Sequence, residues 1–143
     1  IVFHDVAGAN VDITKPTLVN DAIGLSSKAY TLTIKNNLTE PVKYKLKLVD
    51  NAEKIILDDC AELQIPKELI RVSVKEDSSK NNIYTLSELI DNNLDLGEID
   101  ALAEKNYSIR IWLTNTSEVN ISKNLHYHGI IQVIENETDL AVR

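Results

Sequence analysis

Apolar and polar residues alternate along two neighbouring stretches of this chain, residues 30–34 and 42–48. A spacing of two places the apolar side chains of each stretch on one face of a β-strand. Residues 36–41 separate the two stretches and are rich in turn-forming residues. The pattern therefore predicts an antiparallel hairpin with one solvated face, and with one apolar face that another part of the chain must cover.

Further alternating stretches at residues 69–74, 106–114 and 127–134 predict more strands, and residues 85–90 predict a short helical turn. Strands about ten residues apart, with little helix and no regular alternation of strand and helix, are typical of a sandwich. We therefore expect one all-β domain over residues 1–143. Its predicted form is a two-sheet antiparallel sandwich, Ig-like or jelly-roll, with one short helix.

Residues 1–13 form another alternating segment, which Asp5 interrupts. The segment is either an edge strand of its own domain or a strand donated to another copy of the chain, since a terminal segment is not held by a turn on both sides. The pattern leaves both placements open. The predicted donor-strand interface consists of Ile1, Val2, Phe3, Val6, Ala7, Ala9 and Val11.

A second candidate contact surface lies on the predicted outward faces of the last two strands. Trp112, Ile130 and Ile134 are apolar residues there, and on adjacent strands they would form one contiguous patch. The alternative is that a loop covers them. The alternation does not decide between the two.

Charge and composition narrow the classes of partner. The formal net charge of -7 and a pI near 4.9 disfavour binding to nucleic acid and to anionic lipid, because the protein's field repels phosphate. No apolar run approaches the roughly 20 residues that span a bilayer. The absence of Met and the start at Ile1 favour removal of a leader segment. Cys60 is the single cysteine, which excludes an internal disulfide and a thiolate metal cluster.

The three histidines are the main candidates for zinc chemistry, although the chain contains no HExxH motif. His126 and His128 would share one strand face and form a usable pair of ligands. A catalytic zinc needs a third protein ligand, which His4 or Asp5 would supply only if the N-terminal segment crosses the last strand. The alternative is a pair of surface histidines. We predict no metal, no cofactor and no catalytic residue.

Acidic residues after position 90 resemble a calcium-binding loop only in part. Gly97 falls one position late for an EF-hand, and Leu102 stands where the bidentate Glu belongs. Two alternatives stay open, a solvated acidic loop and looser calcium binding through Asp91, Asp95, Glu98 and Asp100.

Five motifs in order carry a family resemblance: IVFHD at residues 1–5, YTLTIKNN at 30–37, YKLKL at 44–48, YSIRIWL at 107–113 and YHGIIQV at 127–133. With these motifs the chain resembles the small secreted or envelope-anchored β-sandwich proteins of low-GC Gram-positive bacteria typified by TasA and camelysin.

The resemblance implies export to the extracellular space or cell surface and a jelly-roll or Ig-like sandwich. In TasA-like members it also implies fibres in which the N-terminal segment of one subunit completes a sheet of the next. We therefore expect a structural subunit of an extracellular fibre or biofilm matrix, a homopolymer and not an enzyme. The alternatives are a monomeric envelope-anchored binding module and a camelysin-like metal-dependent protease.

Overall fold

A computed structural model describes residues 2–4, 9–14, 16–59, 63–76, 80–114 and 125–135. The strands in these residues are β1 Val2–His4, β2 Ala9–Ile13, β3 Leu18–Val19, β4 Tyr30–Asn36, β5 Val42–Asp50, β6 Ile70–Glu76, β7 Asn82–Thr85, β8 Asn93–Ile99, β9 Glu104–Thr114 and β10 Tyr127–Glu135. The α-helices are α1 Asp21–Leu25 and α2 Ala52–Leu57, and short 3₁₀ turns form at Lys67–Leu69, Leu86–Glu88 and Ile90–Asn92.

These strands form two sheets. Sheet A has the order β1-β4-β9-β6-β7, and the two residues of β3 pair in parallel with the end of β9. Sheet B has the order β2-β10-β5-β8. The other pairs are antiparallel. The prediction of an all-β, sandwich-like fold with little helix is confirmed.

One apolar layer between the sheets forms the core. Leu32 and Ile34 of β4 and Ile109 of β9 face inward from sheet A, while Leu46 of β5 and Ile131 of β10 belong to the same buried cluster in sheet B. Each fully buried side chain of this size contributes about 1.5–3 kcal/mol relative to an exposed one. The inward faces that alternation predicted are therefore the ones that hold the sheets together.

The predicted hairpin between residues 30–34 and 42–48 is wrong, because β4 lies in sheet A and β5 in sheet B. The buried Asn36 shapes the connection between them. Its side-chain amide nitrogen donates to the carbonyl oxygens of Glu40 at 2.8 Å and Asp100 at 3.2 Å, and its Oδ1 accepts from the Leu38 N–H at 2.9 Å. These bonds fix a corner that carries the chain from one sheet to the other.

The described residues contain two short α-helices, and the helical turn predicted over residues 85–90 forms the 3₁₀ turns Leu86–Glu88 and Ile90–Asn92. Each helix begins at an asparagine that caps it. Oδ1 of Asn20 accepts from the Ile23 N–H at 2.9 Å, and Oδ1 of Asn51 accepts from the Lys54 N–H at 3.2 Å. Such a bond satisfies one of the N–H groups that a helix start leaves without an intrahelical partner.

The N-terminal segment pairs within its own chain in both sheets. Strand β1 lies beside β4, and β2 lies beside β10 with Val11 opposite Gly129. Val11 is 3% exposed and belongs to the core. Of the two placements left open by the sequence, this is the edge strand. Among the other predicted interface residues, Val2, Phe3 and Ala9 lie in β1 and β2, whereas Ile1, Val6 and Ala7 lie outside the described residues.

The predicted contiguous patch of Trp112, Ile130 and Ile134 does not form, because β9 and β10 belong to different sheets. Ile130 and Ile134 are half-buried in sheet B. Trp112 is 5% exposed on sheet A. Helix α1 covers its ring, and the indole Nε1 donates to Oδ1 of Asp21 at 3.1 Å. The cover of Trp112 is thus a helix and not the loop that the sequence left as an alternative.

Buried tyrosine hydroxyls lie within the core. The hydroxyl oxygens of Tyr44 in sheet B and Tyr107 in sheet A are 3.2 Å apart and share a hydrogen bond across the sandwich. Burial raises the pKa of both phenols. The pKa of Tyr127 is raised first by burial and then by the nearby charge of Asp50. Its hydroxyl has no hydrogen-bond partner among the described residues.

We expect Gly24→Ala to destabilise the protein by about 1–3 kcal/mol, because overpacking a tight contact forces side chains or backbone to move. A Cβ at Gly24 would lie 2.2 Å from Cδ2 of Trp112. Urea denaturation measures the loss, and the emission of the single Trp should shift to the red as α1 lifts. The control is Ile23→Ala on the same helix, whose side chain is 54% exposed and whose effect should stay within about 0.5 kcal/mol. Equal effects of the two changes would contradict the close contact.

We expect Tyr127→Phe to be near neutral at pH 7 and to reduce the loss of stability in alkali. An unfolded tyrosine ionises near pH 10, whereas burial holds the folded phenol neutral to higher pH, so the free energy of unfolding falls above pH 10. Removing the Tyr127 hydroxyl should lessen that slope by about 1.4 kcal/mol per pH unit. Urea denaturation at several pH values between 7 and 11.5 measures both quantities.

The comparison variant for this test is Tyr44→Phe, which removes a paired hydroxyl instead of one without a partner. It should cost about 1 kcal/mol at pH 7 because it removes the hydrogen bond between the Tyr44 and Tyr107 hydroxyls. A larger cost for Tyr127→Phe than for Tyr44→Phe at pH 7 would show that the Tyr127 hydroxyl is well satisfied.

Candidate metal centre

Two histidines and an aspartate meet on the outer face of sheet B. His128 lies in β10, and His126 precedes this strand by one residue, so the spacing of two places both rings on the same face. The backbone of His126 is held by residues 63–65, because its N–H donates to the Leu63 carbonyl at 2.8 Å and its carbonyl accepts from the Ile65 N–H at 2.9 Å. Asp58 caps the C-terminus of α2 and faces the rings.

Neighbouring elements fix the positions of these residues. The Asn51 N–H donates to the His128 carbonyl at 3.0 Å, which attaches the start of α2 to β10. On the other side of β10, the register of β2 places Asp12 directly opposite His128. His128 is therefore surrounded by β2, α2 and its own strand, and it is 3% exposed.

Short polar contacts link the four side chains. Oδ2 of Asp58 lies 2.7 Å from Nε2 of His128 and 3.0 Å from Nδ1 of His126. Nδ1 of His128 lies 2.6 Å from Oδ1 of Asp12, whose Oδ2 is 3.8 Å from Nζ of Lys54. The two imidazole rings meet edge to face with centroids 5.8 Å apart. One ligand atom from each of Asp58, His126 and His128 lies within 4.8 Å of the others.

Two carboxylates lie beside the His128 ring, one at each ring nitrogen. A neutral imidazole has one N–H donor, whereas both ring nitrogens of His128 face a carboxylate oxygen. A neutral ring can therefore donate to one of the two carboxylates, while its other nitrogen presents a lone pair to the second. The hydrogen bond from His128 is the largest influence on Asp58 and lowers the pKa of its carboxyl group, so this group is ionised at neutral pH.

The expected histidine pair does converge, and the third possible ligand among the described residues is Asp58. His4 lies in β1 of sheet A, and Asp5 lies outside the described residues. The alternative of two surface histidines is wrong for His128, which is buried. Asp58 lies 68 positions before His126 in the sequence, in a segment without a recognisable motif. No spacing rule therefore indicated it as a third ligand.

In the described part of the chain, the acidic residues of the looser calcium prediction do not converge, and the possible metal ligands that do are Asp58, His126 and His128. Asp95 instead uses Oδ1 to accept from the Gly97 N–H at 2.8 Å. Asp91 takes a positive φ of 53° in the 3₁₀ turn before β8.

Comparison of the chain with protein-family models, with curated proteins and with solved structures finds no match. The likeness to TasA and camelysin therefore rests on the five motifs alone. None of the helices in the described residues is long and apolar enough to cross a membrane.

Proposed function

We propose that this chain is a secreted structural subunit of an extracellular bacterial fibre or biofilm matrix, and that copies assemble by exchanging the segment that forms β1 and β2. One observation carries the proposal. Among the described strands, β1 pairs with β4 alone and β2 with β10 alone, so the segment occupies an edge of both sheets. It can therefore leave without breaking a pair between central strands.

Exchange gives a physical route from the closed monomer to a polymer. When the segment leaves, the edges of β4 and β10 expose backbone N–H and C=O groups, and the place of Val11 in the core opens. The same segment from a second copy fills both. Because swapped subunits make the same contacts as the closed chain, the balance between the two forms is set mainly by concentration and the connecting residues.

The opposite edge of sheet B is less suited to strand addition. There β8 carries exposed Asp95 and Glu98, and Gly97 has a positive φ of 84°. The pairing with β5 shifts register between Tyr44 and Lys45. Charged side chains and a bulge on an edge strand hinder pairing with another chain. This favours the β1 and β2 side for assembly.

A second candidate is a self-complete, envelope-anchored binding module whose segment stays in its own chain. The contacts of β2 favour it: Val11 is buried, Asp12 meets His128, and Oδ1 of Asn10 accepts from Nδ2 of Asn51 at 3.4 Å. The protease alternative is favoured by no observation beyond the cluster at Asp58, and a group of possible ligands does not by itself indicate hydrolysis.

A disulfide that locks β2 in its own chain separates the first two candidates. Asn10 and Ile130 are directly opposed in the β2–β10 pair, and opposed residues in an antiparallel pair lie within disulfide range. We expect the monomer of the Asn10→Cys/Ile130→Cys variant, made in a Cys60→Ser background and oxidised before assembly, to form no filaments by negative-stain microscopy. Reduction should restore them to the level of Cys60→Ser.

The same variant gives a second readout when it is oxidised after assembly. Exchanged subunits should then yield a ladder of disulfide-linked multimers on a non-reducing gel, whereas the reduced sample runs as one band. Filaments from the locked monomer would overturn strand exchange. A Cys60→Ser protein that stays monomeric in every condition would overturn the fibre and favour the binding module.

A further inference from the structure

We infer that Asp58, His126 and His128 bind one divalent transition-metal ion, with Asp12 as a residue that positions His128. The ligand atoms are a carboxylate oxygen of Asp58, Nδ1 of His126 and Nε2 of His128, which already converge. None of the three ligands belongs to β1 or β2. The positioning residue Asp12 lies in β2, but an exchanged β2 from a second copy would bring the same aspartate to His128, so either proposal can fail without the other.

The spacing of the donor atoms is close to what a metal needs. Ligands about 2.0–2.1 Å from a tetrahedral zinc lie about 3.3 Å from one another. The Asp58 oxygen is 2.7 and 3.0 Å from the two ring nitrogens. An ion would therefore move the Asp58 oxygen about half an ångström away from the two ring nitrogens, which themselves lie within 4.8 Å of each other. The side chains of Asp58 and His126 are 42% and 24% exposed, so both have room for this movement.

Asp12 gives His128 the arrangement that metal-binding histidines need. An acceptor at one ring nitrogen keeps the proton there and leaves the lone pair of the other nitrogen for a metal. The Asp12 oxygen 2.6 Å from Nδ1 provides that acceptor, and Nε2 points at Asp58.

The composition and exposure of the site indicate which ions it takes. Two imidazole nitrogens and one carboxylate suit zinc, copper or nickel better than calcium or magnesium, which prefer oxygen ligands. Three protein ligands leave a coordination position for solvent, and the exposed side of Asp58 provides access to it. The ion would tie the end of α2 to β10 and so stabilise the outer face of sheet B.

Zinc titration by calorimetry tests the proposal on an untagged Cys60→Ser protein, which has no thiol that could bind the metal. We expect one ion per chain and no binding of magnesium at the same concentration. Saturating zinc should raise the Tm by about 5 °C or more, because the folded state binds the ion and the unfolded chain binds it weakly. Cobalt in place of zinc should give the visible absorption of a four- or five-coordinate site.

The test variants replace the two partly exposed ligands, because replacing the buried His128 risks misfolding. Asp58→Asn and His126→Ala should each weaken zinc binding at least tenfold. Their matched controls are Asp59→Asn, the neighbouring exposed carboxylate, and His4→Ala, the histidine in sheet A. Both controls should bind zinc as the parent does. Equal affinities in Asp58→Asn and Asp59→Asn would overturn the site.

Asp12→Asn tests positioning separately from ligation. It should weaken zinc binding about 10–100-fold while the stoichiometry stays at one ion per chain, and Asp12→Glu should recover part of the affinity. A chain that takes up no zinc, copper or nickel would overturn the proposal. The cluster would then be an ion pair between His128 and two carboxylates.

Discussion

The close packing of both sheets against a single apolar layer is the constraint on which the other features depend. Inward side chains of β4, β6 and β9 meet those of β5, β8 and β10, and the hydroxyls of Tyr44 and Tyr107 join across the layer. Because this layer uses one face of each sheet, every other specialised contact must be made on an outer face, at an edge or at a corner. Asn36 holds such a corner.

The outer faces of the two sheets carry the same structural arrangement. On each sheet a short helix that starts at an asparagine cap covers an aromatic ring, and an aspartate of that helix or its cap meets a ring nitrogen. Asp21 of α1 accepts from Trp112 on sheet A, and Asp58 after α2 contacts His128 on sheet B. The chemistry differs because an indole N–H only donates, whereas an imidazole can also bind a cation.

The edge strand β2 connects assembly with the histidine cluster. Its Val11 fills the core, and its next residue, Asp12, contacts His128. Any change that removes β2 from β10 therefore takes away the partner of His128 Nδ1 as well as a core side chain. By linkage, a ligand held at His128 favours whichever arrangement keeps an aspartate in that place, from the same chain or from another copy.

Alternation alone determined which side chains face the core, because a period of two is a local property of a strand: Leu32, Leu46 and Ile131 lie where it placed them. It also placed His126 and His128 on one face. The partner of each strand, the two helices and the approach of Asp58 were decided only by the tertiary structure. A strand with one apolar face can bury that face equally well in either sheet, so alternation does not choose its neighbour. A contact between residues 68 positions apart, such as Asp58 and His126, forms only when the whole chain has folded.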